Sequence, residues 1–178
     1  MTDFDYWKRQ YAETWDQSAE REKAIAAFLS DQTGTKVVQV GLGAGDTSFI
    51  SGSASQHGHG KGDADLKVDG TDIYLEVTGP LVKFVTRDKP LWVRPDKLES
   101  ARRQNEHETW VIHHLPKDDL IRVIPLNDEF WTALDNDEFP IANPVIRGAR
   151  ETYHEIGASH PCVKSYDVLI ARLSELGK

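Results

Sequence analysis

The stretch that most restricts the fold is residues 63–78, "DADLKVDGTDIYLEVT". Two short runs alternate apolar and polar residues on either side of Asp69-Gly70, and an Asp-Gly pair between alternating runs is among the strongest hairpin signals a sequence carries. Side chains two apart in a strand share a face. Ala64, Leu66 and Val68 therefore lie on one face of the first strand, and Ile73, Leu75 and Val77 on one face of the second. The other face collects Asp63, Asp65, Lys67, Asp72, Tyr74, Glu76 and Thr78. With a two-residue turn, Leu66 faces Ile73, Asp65 faces Tyr74 and Asp63 faces Glu76. Opposed residues have Cβ atoms roughly 4.5–5.5 Å apart and diagonal neighbours roughly 7–8 Å, so Asp63 and Glu76 form a like-charged pair with Asp65 one diagonal away. Such a pair destabilises a sheet unless a cation sits between the acids, and Mg²⁺ suits two carboxylates. A solvated hairpin face is the reading without a site.

The surrounding elements set the fold class. Residues 15–30, "WDQSAEREKAIAAFLS", predict a helix with Glu22, Ile25, Ala26 and Leu29 on one face, stopped at Thr33-Gly34. "TKVVQVGL" predicts a buried strand, and Gly43–Gly62 a long loop with a short strand at Thr47–Ile50. "PDKLESARRQNEH" predicts a helix with Pro95 in its first turn and Asp96 and Glu99 near its positive end. "TWVIHHL" and "LIRVIPL" predict paired strands, and "SYDVLIARLSEL" a closing amphipathic helix. The order of elements predicts an α/β (α+β) fold with a mixed central sheet flanked by helices. At 178 residues the expectation is one domain over 1–178, with a core over about 15–125 and a C-terminal extension over about 126–178.

Charge distribution bears on partners. The chain carries −8 overall, which argues against non-specific coating of nucleic acid. Residues 81–103 nevertheless hold seven basic side chains (Lys83, Arg87, Lys89, Arg94, Lys97, Arg102, Arg103) against three acidic ones, +4 where the rest of the chain carries −12. The single cysteine, Cys162, excludes an internal disulfide, and the acidic, aromatic start "MTDFDYWKRQ" lacks the basic-then-apolar pattern of a secretory signal. These features predict a cytoplasmic protein with no membrane span.

"GDADLKVDGTDIYLEVTG", preceded by "EREKAIAAFL" and followed by "DKLESARRQ" and "TWVIHHL", resembles the core of the PD-(D/E)XK nuclease superfamily, which includes restriction endonucleases and archaeal Holliday-junction resolvases. The resemblance covers about residues 15–125 and implies a restriction endonuclease-like core. In that family an acid opens one strand and Glu-x-Lys closes the next. The resemblance implies Mg²⁺ (or Mn²⁺) on Asp63, Asp65 and Glu76, with Glu22, or Glu20 in its place, contributed by the preceding helix. It implies metal-assisted hydrolysis of phosphodiester bonds in DNA, with RNA as a second substrate class, in defence or repair, and a homodimer as a route to cutting two strands. Two positions depart from the pattern: Lys61-Gly62 stands where proline is expected, and Thr78 where lysine is expected. Lys83 and Lys97 are the candidate replacements for that lysine, ahead of Lys61 and Lys67. Along the basic segment, Arg87, Lys89, Arg94, Arg102 and Arg103 would follow a phosphate backbone, Trp92 would stack on a base and Gln104 would add a polar contact.

Other readings compete with this one. Without a working lysine the chain would be a catalytically inactive module of the same fold, binding nucleic acid or a protein. "VVQVGLGAGDTS" resembles the first motif of S-adenosylmethionine-dependent methyltransferases, with Glu76 on the ribose, although the acid usual before the first glycine is missing. His57 and His59 share spacing suited to a metal, and His154, His160 and Cys162 would make an incomplete zinc set. His113-His114 point to opposite faces of their strand, one of them a core residue.

Overall fold

The hairpin forms, with a different register. In the computed structural model, which describes residues 18–40, 64–80, 82–146 and 148–177, strand β1 is Val37–Gln39, β2 Leu66–Val68 and β3 Ile73–Thr78. Leu66 opposes Leu75 and Lys67 opposes Tyr74. The pairing is thus two residues away from that of a two-residue turn. Thr71 is the cause: its Oγ1 donates to Val68 O (2.8 Å) and accepts from Ile73 N (3.0 Å), so Thr71 and Asp72 belong to the turn and not to the strand. Gly70 supplies the positive φ (+76°) the turn needs. A two-residue slip preserves which face each side chain takes.

Helix α1, Ser18–Thr33, precedes the hairpin and ends where Gly34 takes φ +71° and donates to Ser30 O. After β3 come β4 (Leu91–Val93), α2 (Pro95–Arg103), β5 (Glu108–Leu115) and β6 (Leu120–Pro125). The remaining elements are α3 (Asp128–Asp135), β7 (Ile141–Ala142), β8 (Val145–Ile146), β9 (Ala149–Arg150), β10 (Tyr153–Ile156), β11 (Lys164–Ser165) and α4 (Tyr166–Ser174). The main sheet runs β1-β2-β3-β5-β6-β11 and is mixed, as expected: β3 and β5 are parallel and the other neighbours antiparallel. A parallel pair needs a crossover, and β4 with α2 provides it.

Alternation along β3 and β5 divides the apolar residues between two layers. Ile73, Leu75, Trp110 and Ile112 pack with Ala24, Ile25, Phe28 and Leu29 of α1 and Leu169 and Leu173 of α4. On the opposite face, Val111 and Ile124 pack with Leu91, Val93, Leu98 of α2, Phe130 of α3 and Ile156. Each such large aliphatic side chain contributes about 1.5–3 kcal/mol by leaving water. The segment after residue 126 is built into both layers: β10 and β7 make a small sheet with β4, and β11 adds to the main sheet. The sequence pattern misses β4, α3 and β7 to β11; all the missed strands have two to four residues, too few to show alternation.

Candidate active site

The even-numbered face of β3 looks toward α2. Glu76 pairs in register with Val111 of β5, whose side chain belongs to the layer that contains Leu98 of α2. Continuing the β2–β3 register by one residue sets Asp65 directly against Glu76. Asp65 and Glu76, not Asp63 and Glu76, are therefore the opposed acids; Asp63 lies outside the described residues, as do Lys61, His57, His59 and the Gly43–Gly62 loop. Asp65 Oδ2 accepts a hydrogen bond from Val77 N at 3.0 Å, which fixes the carboxylate where the backbone ladder of β2 has ended.

Helix α2 brings the cation. Arg94 precedes it in extended conformation and Pro95 starts it, so Lys97 falls in the first turn, one position before the buried anchor Leu98. Lys97 Nζ lies 3.1 Å from Glu76 Oε2 and 3.9 Å from Asp65 Oδ1. The three side chains are 16 %, 8 % and 13 % exposed in the order Lys97, Glu76, Asp65, so their charges interact with little water between them. Burial raises the Glu76 carboxyl well above the usual range and the Asp65 carboxylate raises it further, while Lys97 opposes both. Burial pulls Lys97 down but the two acids outweigh it, and its pKa is raised.

Two carboxyl groups share one ammonium, and the raised Glu76 carboxyl marks a site where a second positive charge would be favourable. Hard, opposed carboxylate oxygens fit a divalent cation such as Mg²⁺. Among the described residues no group of three or more His, Cys, Asp or Glu has metal-binding spacing, so any such ion would take its remaining ligands from water or substrate.

The other candidate residues are distributed as follows. Glu22 is buried in α1, whose apolar residues pack on the opposite face of the sheet. Its neighbour Arg21, not singled out in the sequence, donates to Gly79 O (3.0 Å) and Pro80 O (2.6 Å) and so clamps α1 to the end of β3. Thr78 is on the Glu76 face, half-buried, paired in register with His113. Lys83 is exposed in the loop after β3, away from the acids' ion pairs, and Lys67 lies over the Tyr74 ring (5.5 Å), which itself stacks on His107. Of the candidate lysines described, Lys97 is the one that reaches both acids.

Much of the basic segment is already paired. Arg87 contacts Asp118 (3.5 Å), Arg94 contacts Asp96 (2.7 Å), and Arg102 makes a two-pronged contact with Asp135 of α3 (2.8 and 2.6 Å) while lying over Trp131. Gln104 turns back onto Ser100 of its own helix (3.2 Å). Lys83, Lys89 and Arg103 are exposed and have no ion pair among the described residues. Trp92 is 36 % exposed and stacks on Tyr153 with ring centroids 5.3 Å apart.

Two other constellations dissolve. His154 Nδ1 meets Phe139 O (2.9 Å), while His160 bridges Glu138 (3.0 Å) and Cys162 N (3.1 Å), a turn and not a zinc set. The strand that would enter the methyltransferase-like glycine turn is β1, an antiparallel edge strand, whereas a cofactor turn of that kind follows a strand of a parallel sheet. Glu76 is engaged by Lys97 and not left for a ribose.

No helix among the described residues is long and apolar enough to cross a membrane. No family model and no curated protein matches the chain. Among solved structures, the chain resembles that of D212, a nuclease from a fusselovirus: 13 % identity over 87 % of this chain and 87 % of that one, with a TM-score of 0.50, a likeness of fold.

Proposed function

We propose that the chain is a metal-dependent nuclease of the PD-(D/E)XK type that hydrolyses phosphodiester bonds in DNA. The observation that carries this reading is Lys97 Nζ at 3.1 Å from Glu76 and 3.9 Å from Asp65. It supplies from α2 the lysine absent at position 78, beside two opposed acids. The likeness in fold to a viral nuclease is a second support.

In this reading Asp65 and Glu76 would hold Mg²⁺ or Mn²⁺, with Asp63 as a further ligand. The bound ion would supply positive charge to the phosphoryl group and acidify a water. The chain's own groups do the rest. Val77 N–H holds Asp65 in orientation. Lys97, beside both acids, would face the phosphate and stabilise the charge that develops on its oxygens. Lys83, Lys89 and Arg103 draw the backbone toward the site, and Trp92 offers a ring edge to a base.

The test is cleavage of single-stranded, duplex and branched DNA, and of RNA, with Mg²⁺ or Mn²⁺. The wild type cleaves at least one form; Glu76→Ala abolishes cleavage while retaining DNA binding, and Lys97→Met lowers kcat by about 10²–10³. Binding without cleavage under every condition favours the second reading, a catalytically inactive module of the same fold, for which Thr78 in the lysine position is the supporting observation.

A further inference from the structure

One pleat beyond Glu76 on the same sheet face lies a second polar row. Thr78 of β3 is in register with His113 of β5, and His113 with Arg122 of β6. His113 follows Val111 by two residues and therefore faces the α2 layer as Glu76 does. A strand spacing of about 4.8 Å and a rise of about 3.3 Å per residue put the His113 backbone about 8 Å from that of Glu76.

Two buried nitrogens in this row have no hydrogen-bond partner. His113 is 3 % exposed and its Nδ1 is buried without a hydrogen-bond partner. Arg122 Nε is also buried and unpartnered, although Arg122 NH1 donates to Arg87 O at 3.0 Å. Buried polar groups in folded proteins are almost always satisfied, so a pair of opposed orphans, one of them the Arg122 Nε–H donor, marks a place where a polar partner is missing. Guanidinium groups gather near this row, one pleat from the Asp65–Glu76 acids. Arg122, Arg87 and Arg21 stand around the row, while Asp118 engages Arg87 and Asp119 lies toward His114. Burial first, and then Arg122 and Arg21, push His113 down to about 3, so the ring adds no charge and offers one donor and one acceptor. Arg122 itself is half-buried beneath Arg87, so the row reaches the rim of the molecule.

We propose that Thr78, His113 and Arg122 form a phosphate subsite that receives a backbone phosphate adjoining the scissile one. Arg122 Nε–H and the His113 ring N–H donate to its oxygens, and the Thr78 hydroxyl bounds it on the side of Glu76. This identity of the occupant rests on the nuclease reading; the anion site itself does not.

The experiment has two arms. In the first, inorganic phosphate is titrated into ¹⁵N-labelled protein at neutral pH without divalent cations, and the His113 ring nitrogens and Arg122 Nε are followed by NMR. Both shift and saturate, and Arg122→Gln, shown folded by its amide spectrum, loses the His113 shift; Arg122→Lys, kept as a second variant, weakens it. Resonances that stay put, or a His113 shift that survives in Arg122→Gln, overturn the subsite. In the second arm, oligonucleotide binding is measured in the Glu76→Ala background. Adding Arg122→Gln weakens it about tenfold, as expected when a charge-assisted hydrogen bond is removed, and in the cleaving protein Arg122→Gln raises KM and leaves kcat within about twofold. Unchanged oligonucleotide affinity overturns the assignment to backbone phosphate. A phosphate response in a protein that cleaves nothing leaves the anion site standing and sinks the nuclease reading; cleavage without that response does the reverse.

Discussion

Glu76 and His113 are both buried on one face of the sheet, and they titrate in opposite senses. Burial and Asp65 raise Glu76, so the fold holds its proton more tightly than the unfolded chain does, and stability gains as pH falls through that raised value toward about 4.3. Burial lowers His113 to about 3 and also lowers His114, against its partner Asp119. The unfolded chain then binds protons that the fold refuses. Stability is complete above about pH 6.5 and is lost as pH falls from there, by up to about 1.4 kcal/mol per pH unit for each histidine. His113→Gln isolates this effect: in urea denaturation in phosphate-free buffer its profile between about pH 6.5 and 4 is flatter than that of the wild type. A parallel pair of profiles would mean that His113 is charged in the fold.

At the level of elements, the site depends on how β3 ends. Gly79 adopts φ +135°, and a Cβ there would lie 2.1 Å from His114 O of β5, so backbone meets backbone with no side chain able to yield. Arg21 of α1 closes on the same turn through Gly79 O and Pro80 O. Gly79→Ala should cost about 3 kcal/mol or more, read as a fall in the urea midpoint, whereas Gly70→Ala, with open space around it, should cost about 1 kcal/mol for its backbone conformation alone. How far these elements are legible in the sequence follows from length and chemistry. The face of every hairpin residue is readable, because alternation fixes it. The register is not, because it depends on Thr71 bonding to Val68 and Ile73 and so lengthening the turn. Counting across a two-residue turn therefore points to Asp63 where Asp65 stands. Spacing alone leaves Lys83 and Lys97 equivalent; choosing Lys97 needs the packing of Leu98, which turns that face of α2 toward β3. Alternation predicts one of His113 and His114 in the core, whereas both are buried, and that His113 Nδ1 lacks a partner is visible only with Arg122 beside it.

Over the whole molecule, the −8 net charge and the +4 segment are reconciled by pairing. Acids answer Arg87, Arg94 and Arg102, and Lys97 is held by Glu76 and Asp65, which leaves Lys83, Lys89 and Arg103 for a partner. Removing one ion pair between a basic side chain and a phosphate makes the dependence of log K on log salt shallower by about 1. The Lys83→Ala/Lys89→Ala variant should therefore bind DNA more weakly with a slope shallower by about 2. Arg102→Gln, which removes a guanidinium already engaged by Asp135, should leave the slope unchanged. A slope that Arg102→Gln alters as much as the double variant does would place the backbone along α2 and α3 instead. Whether Asp65 and Glu76 hold a divalent cation beside Lys97 is decided by diffraction from Mn²⁺-soaked crystals at the manganese edge. An anomalous peak between the Asp65 and Glu76 carboxylates, with Lys97 Nζ moved away from Glu76, is the expected result; manganese bound elsewhere, with Lys97 still bridging the two acids, would contradict it.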